Sequence, residues 1–144
     1  MSTSDKHHAR VAASLDRQGM LRHLGVELRR VEPGLVELWL PYSDKVTQQQ
    51  EGFHGGAMGA VADVAGGYAG LTVAPEGMEV VTVEYKINFL ASFQGGGLRA
   101  IGKVTKPGKR LIITTAEVIH VADDGKESAC ALMQQTLMPV AKNY

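Results

Sequence analysis

The chain has 144 residues, 44% of them hydrophobic, and its 15 Lys plus Arg balance 15 Asp plus Glu. That length suits one domain, spanning 1–144, with a substantial core, and the lack of a basic excess argues against a nucleic-acid partner. The single cysteine, Cys130, excludes an internal disulfide and any paired-cysteine zinc or redox site.

Residues 1–5 are expected to be frayed. The segment 1–20 is polar, interrupted by Asp5, Arg10, Asp16 and Arg17, and carries no apolar stretch of the kind a secretory signal needs, which points to the cytoplasm. Over 6–24, Val11, Leu15, Gln18, Leu21 and Leu24 recur at helical spacing and predict one amphipathic N-terminal helix. His7, His8 and His23 have no acidic or cysteine partner at ligand spacing, so no metal site is expected. Residues 26–31 and 35–40 are strand-like runs around Glu32-Pro33-Gly34, a turn sequence, and predict a hairpin. The polar segment 41–51 reads as a surface loop, and its Gln48-Gln49-Gln50 leaves room for one amide to face a bound ligand.

Gly52-Phe53-His54-Gly55-Gly56 then leads into a run, 55–74, that is apolar or small throughout except for Asp63, Tyr68 and Thr72. A helix apolar on every side belongs inside the molecule, so a central helix is predicted over 55–72, with Asp63 as a carboxylate within it. A membrane span is disfavoured, because Gly and Ala add little hydrophobicity and a central Asp costs about 2.5–3.5 kcal/mol on insertion scales. Asp63 is either satisfied by intramolecular hydrogen bonds or kept for chemistry. Gly55 and Gly56 either let strands approach the helix or leave N–H donors uncovered at its positive end, the physics of an oxyanion site. Gly55 and Asp63 stand eight residues apart, about 12 Å of helical rise, whereas a base and an oxyanion donor must each lie within about 3 Å of their reacting atoms. If both are catalytic they come from different subunits, and the protein is an obligate oligomer.

Beyond Pro75-Glu76-Gly77, Val81, Val83, Tyr85, Ile87 and Phe89 alternate with Thr82, Glu84, Lys86 and Asn88, a period-two strand. Residues 98–105, 111–121 and 128–138 read as three more strands, joined at Lys106-Pro107-Gly108-Lys109 and at Asp123-Asp124-Gly125-Lys126 by hairpin chemistry. Cys130 falls mid-strand beside Ala129, Ala131 and Leu132 and reads as a core thiol. The element order predicts an α+β fold in which an antiparallel sheet of about six strands wraps one apolar helix. Lys103, Lys106, Lys109 and Arg110 put four cations within eight residues, either a solvated hairpin or a seat for phosphates.

His54-Gly55-Gly56 followed by Asp63, inside this element order, resembles the hotdog-fold thioesterases, most closely the PaaI-like acyl-CoA thioesterase branch, over about 24–139. The resemblance implies hydrolysis of an acyl- or aroyl-CoA thioester by a homodimer or a dimer of dimers, with coenzyme A as part of the substrate and no other cofactor. It implies that the Gly55 N–H polarises the thioester carbonyl, with His54 beside it and Gly56 in the substrate site. Asp63 of the neighbouring subunit would be general base or nucleophile. Gln48 falls where the family carries a loop Asn. Thr82 would lie near the reacting water, Glu84 and Phe89 along the ligand channel, and Lys106 near the nucleotide end, where the charge cluster itself would add Lys109 and Arg110 as phosphate-binding cations. Phe53, Met58, Tyr68 and the N-terminal helix would complete the channel, which suits aryl and medium-chain acyl groups equally. Two rivals stand beside this reading. One is an acyl-CoA hydratase or dehydratase on the same fold, which pairs an Asp and a His on the helix and its following turn, whereas here no His follows Asp63 before His120. The other is a non-catalytic acyl-CoA-binding module.

Overall fold

The computed structural model describes residues 2–144; Met1, the first of the residues expected to fray, lies outside them. The remainder of that expectation is corrected. Ser2 Oγ accepts from the Asp5 N–H at 3.1 Å while the Asp5 carboxylate accepts from the Ser2 N–H at 3.2 Å, and this capping box starts helix α1 (Thr3–Leu15) at once. The single helix expected over 6–24 is also corrected, to two. Gln18 takes extended geometry (φ −86°, ψ 95°) before a short helix α2 (Gly19–Leu24), which closes on Gly25 at φ 85°. The helical spacing survives the break because Val11, Leu15 and Leu21 are all buried in the same core.

Six strands form one antiparallel sheet: β1 (Glu27–Glu32), β2 (Leu35–Pro41), β3 (Met78–Phe89), β4 (Gly97–Pro107), β5 (Ile112–Val121) and β6 (Glu127–Ala141), in the order β1-β2-β4-β5-β6-β3. Between β2 and β3 the chain runs through the long helix α3 (Gly55–Val73), around which the sheet wraps. Strand burial alternates, so Val36, Leu38, Leu40, Leu98, Ala100, Ala116, Val118 and Met133 form one inner face against Met58, Val61, Ala62 and Ala65 of α3. Each large side chain so buried stabilises the fold by about 1.5–3 kcal/mol. The approach is close because β4 carries Gly102, where any Cβ would collide with the Ala65 carbonyl oxygen. No helix among the described residues is long and apolar enough to cross a membrane.

α1 meets the end of α3 and the start of β3 through Arg10. Arg10 donates to the Leu71 carbonyl oxygen at 3.1 Å and to the Met78 carbonyl oxygen at 2.5 Å, placing a cation at the negative end of the helix. Arg10→Met keeps the stem and removes the charge, and is expected to lower stability by about 1–3 kcal/mol. Urea denaturation checks this.

β3 is an edge strand, paired on one side with β6 and on the other with nothing among the described residues. Its alternation is not continuous. A bulge between Thr82 and Glu84 shifts the phase, so Thr82, Tyr85, Ile87 and Phe89 lie opposite Leu137, Gln135, Met133 and Ala131 of the inner face, while Val81 and Glu84 lie opposite Met138 and Thr136 of the outer one. A polar residue, Thr82, is thereby aimed at α3.

Candidate active site

Asp63 sits two turns into α3, half-buried, where the turn between α1 and α2 stands back from β3. Its Oδ1 accepts from the Thr82 hydroxyl at 2.7 Å and from the Gln135 amide. The same Gln135 Nε2 lies 3.1 Å from the Asp63 carbonyl oxygen and 3.2 Å from Thr82 Oγ1. Behind it, Thr114 Oγ1 donates to Gln135 Oε1 at 2.7 Å. Oδ2 has no hydrogen-bond partner among the described residues, and the carboxylate borders a cleft of about 420 Å³ shared with Gln18, Gly67, Tyr68, Glu79 and Thr82. The two readings of Asp63 are thus both realised, one oxygen satisfied by protein donors and the other open. A carboxylate held in this way can take a proton from a water in the cleft.

Tyr68 is fixed differently. It accepts from Gln18 Nε2 at 2.6 Å and donates to Ser14 Oγ at 2.9 Å. Burial, above all, raises its hydroxyl pKa from the usual value, so it remains a neutral donor and not a base.

At the start of α3, His54 is the N-cap in extended geometry (φ −67°, ψ 136°). Its Nδ1 accepts from the Gly56 N–H at 2.7 Å, which assigns the ring hydrogen of the neutral imidazole to Nε2. Ala57 and Met58 N–H both donate to the His54 carbonyl, at 3.0 and 3.1 Å. Of the first four N–H groups only that of Gly55 has no acceptor among the described residues. The Phe89 ring lies against this glycine, its Cζ 3.3 Å from where a Cβ would stand. The turn itself is anchored by His54 N–H to Val46 O at 2.7 Å and Phe53 N–H to Phe93 O at 3.0 Å.

The residues flanking Gly55 and the carboxylate of Asp63 border different openings. His54 and Gly56 line a small opening of about 210 Å³ beside Met20, Leu24 and Thr47, distinct from the cleft of Asp63. Thr82 is brought to Asp63 and Phe89 to Gly55, but Glu84 joins neither; on the outer side of the bulge its carboxylate accepts from Thr136 Oγ1 at 3.2 Å. The Gln48 side-chain oxygen accepts from the Gln50 N–H within its own loop. Lys103, Lys106, Lys109 and Arg110 are exposed on and around the β4–β5 hairpin, in no ion pair among the described residues. The base of that hairpin, Val104 and Ile112, packs on Ala74 at the far end of α3.

Two channel assignments are corrected: Phe53 (1% exposed) and Met58 (4%) are core residues, whereas Tyr68 does line the cleft. Their apolar character serves core and channel alike, and only the turn geometry around Phe53 decides between them. Gln135 and Thr114 were not anticipated. The available signal was an amide at an inward position of β6, between Met133 and Leu137, where the alternation calls for an apolar side chain. His120 is held in another cluster, Nε2 3.0 Å from the Gly95 carbonyl oxygen and its ring stacked on Phe93. Burial pushes the Cys130 thiol up to about 11, leaving it protonated and inert. Among the described residues no three His, Cys, Asp or Glu side chains converge as metal ligands.

Comparison with known proteins matches residues 52–127 to the family model of the thioesterase superfamily. A crystal structure of a thioesterase family protein from Silicibacter pomeroyi superposes with a TM-score of 0.90 at 37% identity, covering 94% of this chain and 99% of that one. The proofreading thioesterase EntH of Klebsiella pneumoniae is 34% identical over 80 residues, 56% of this chain and 58% of its own length. The E. coli PaaI protein, from the phenylacetic acid degradation operon, shares the fold with a TM-score of 0.86 at 22% identity over 99% of each chain.

Proposed function

Because the chain belongs to the thioesterase superfamily and has the hotdog fold, we propose that it hydrolyses the thioester of an acyl- or aroyl-CoA in sites shared between two copies of itself. The observation that carries this reading is that Asp63 Oδ2 and the Gly55 N–H both lack a hydrogen-bond partner among the described residues, lie on one helix, and are too far apart to serve one carbonyl.

The edge strand supports the pairing. β3 runs antiparallel to α3, with Phe89 against Gly55, Tyr85 against Gly59 and Thr82 against Asp63. A two-fold axis near Tyr85 that joined two β3 edges would set Thr82 of one copy near Phe89 of the other, and hence Asp63 near the partner's Gly55. Val83 and Phe89, 57% and 52% exposed on that edge, would be covered by the same contact. In such a site the Gly55 N–H holds the thioester oxygen. Asp63 of the partner subunit removes a proton from water, the water oxygen attacks the carbonyl carbon, the C–S bond breaks, and the departing thiolate takes up the proton. Thr82 holds the carboxylate at its other oxygen. The hydratases of this fold pair the acid with a His on the helix or the turn that follows it, and here no His comes after Asp63 until His120, which is engaged elsewhere.

The exposed hairpin cations give the nucleotide a seat. Ala74, at its base, is 11 residues past Asp63, about 16 Å along the helix. Free-thiol release measured over acetyl-, hexanoyl-, lauroyl- and benzoyl-CoA, with enoyl-CoA hydration assayed in parallel, tests the reaction. Hydration without thiol release, or binding without turnover, would sink it. Reversing Lys106, Lys109 and Arg110 to Glu is expected to raise KM for the CoA thioester about tenfold or more while kcat holds, and to leave the matching pantetheine thioester unaffected.

A further inference from the structure

We propose that Gln135 is a positioning residue for the reaction, aiming the Asp63 carboxylate so that Oδ2 faces the cleft, and that Thr114 fixes which way its amide points. This rests on the reading of Asp63 as the base. Gln135 is 1% exposed and Thr114 fully buried, on neighbouring strands behind α3. The amide orientation follows from chemistry: turned over, Gln135 would face a carboxylate and a main-chain carbonyl with its own oxygen, three acceptors together. With Nε2 toward Asp63, its hydrogens reach the Asp63 carboxylate, the Asp63 carbonyl and Thr82 Oγ1, and Oε1 is left for the Thr114 hydroxyl. One side chain therefore grips both the main chain and the carboxylate of Asp63. Without it, Oδ1 keeps only the Thr82 hydroxyl and the carboxylate is free to rotate.

The helix makes room for this grip. At Gly66 a Cβ would strike Gln135 Oε1 and come within 2.8 Å of Thr114 Oγ1. An amide at this place is not what packing asks for, since Met133 and Leu137 fill the flanking inward positions of β6. Its donors are spent on the residue that carries the chemistry.

Gln135→Met preserves volume and removes the donors; kcat for the fastest CoA ester of the panel is expected to fall about 10- to 100-fold with KM unchanged. Gln135→Glu preserves shape but sets two carboxyl groups against each other, and such a pair holds one proton strongly. At low pH that proton restores a donor, so this variant is expected to lose kcat as pH rises, along a limb absent from the wild-type profile. Thr114→Val leaves the amide in place but unlocked, and should show a smaller loss in kcat, again without change in KM; it carries the test if Gln135→Met does not fold, as judged by thermal midpoint. Wild-type kcat within about twofold in both Gln135 variants, with an unaltered pH profile in Gln135→Glu, would overturn the proposal while an inactive Asp63→Asn upheld the base. Full activity in Asp63→Asn would remove the base and the proposal together.

Discussion

Asp63→Asn is expected to lower kcat for thiol release by about 10²–10⁴-fold while leaving the fold and KM in place. The substitution is close to isosteric, and the hydrogen-bond pattern tells what becomes of it. With its amide oxygen at the Oδ1 position, the new side chain still accepts from Thr82 and Gln135, so no buried donor is stranded and stability is expected to change little. Its NH2 then occupies the place of Oδ2 and faces the cleft. An amide there can donate to a water but cannot remove its proton. The loss should therefore appear in kcat, with binding untouched, because the contacts proposed for the nucleotide lie on the β4–β5 hairpin and not on Asp63. Steady-state thiol release with a thermal midpoint for each protein decides it, and a kcat within about twofold of wild type would end the role of Asp63 as base.

The parts of this site that were legible in the sequence are those written in local pattern. An uninterrupted apolar stretch with one acid and two glycines at its head could be read directly as a buried helix with a marked start, and strands separated by Pro-Gly and Asp-Gly turns gave the sheet. What escaped depends on contacts between distant segments. Gln135 and Asp63 are 72 residues apart, and nothing near either one announces the other. The bulge in β3 is invisible because Val81, Val83 and Tyr85 continue the alternation in letters while the backbone changes phase between Thr82 and Glu84. That shift turns Thr82 toward Asp63 and sends Glu84 to the outer face, which is why, of the three strand residues expected at the ligand, Thr82 and Phe89 reach α3 and Glu84 does not. The break at Gln18 escaped for a similar reason: leucines on both sides share one core, and only the contact of the Gln18 amide with Tyr68 reveals that the helix has paused there.

Gly55→Pro is expected to remove the oxyanion donor without unravelling α3, lowering kcat by about 10²–10³-fold. Gly55 is the first helical residue, the position where proline is best tolerated because its N–H would be unpaired within the helix anyway. His54 before it already has the extended geometry, φ −67° and ψ 136°, that a following proline requires. The Phe89 ring, about half exposed, can yield the few tenths of an ångström that a new Cβ needs. The variant gains its force when combined with Asp63→Asn. A hybrid of the two, isolated by a different affinity tag on each subunit, contains one site with both residues intact and one with neither, so it should recover about half of wild-type activity per dimer from two nearly inactive parents. Were each site built within a single chain, every site in the hybrid would lack one group, and activity would stay at the level of the parents. Recovery in the hybrid thus requires that the acid and the glycine N–H serving one thioester belong to different copies of the chain.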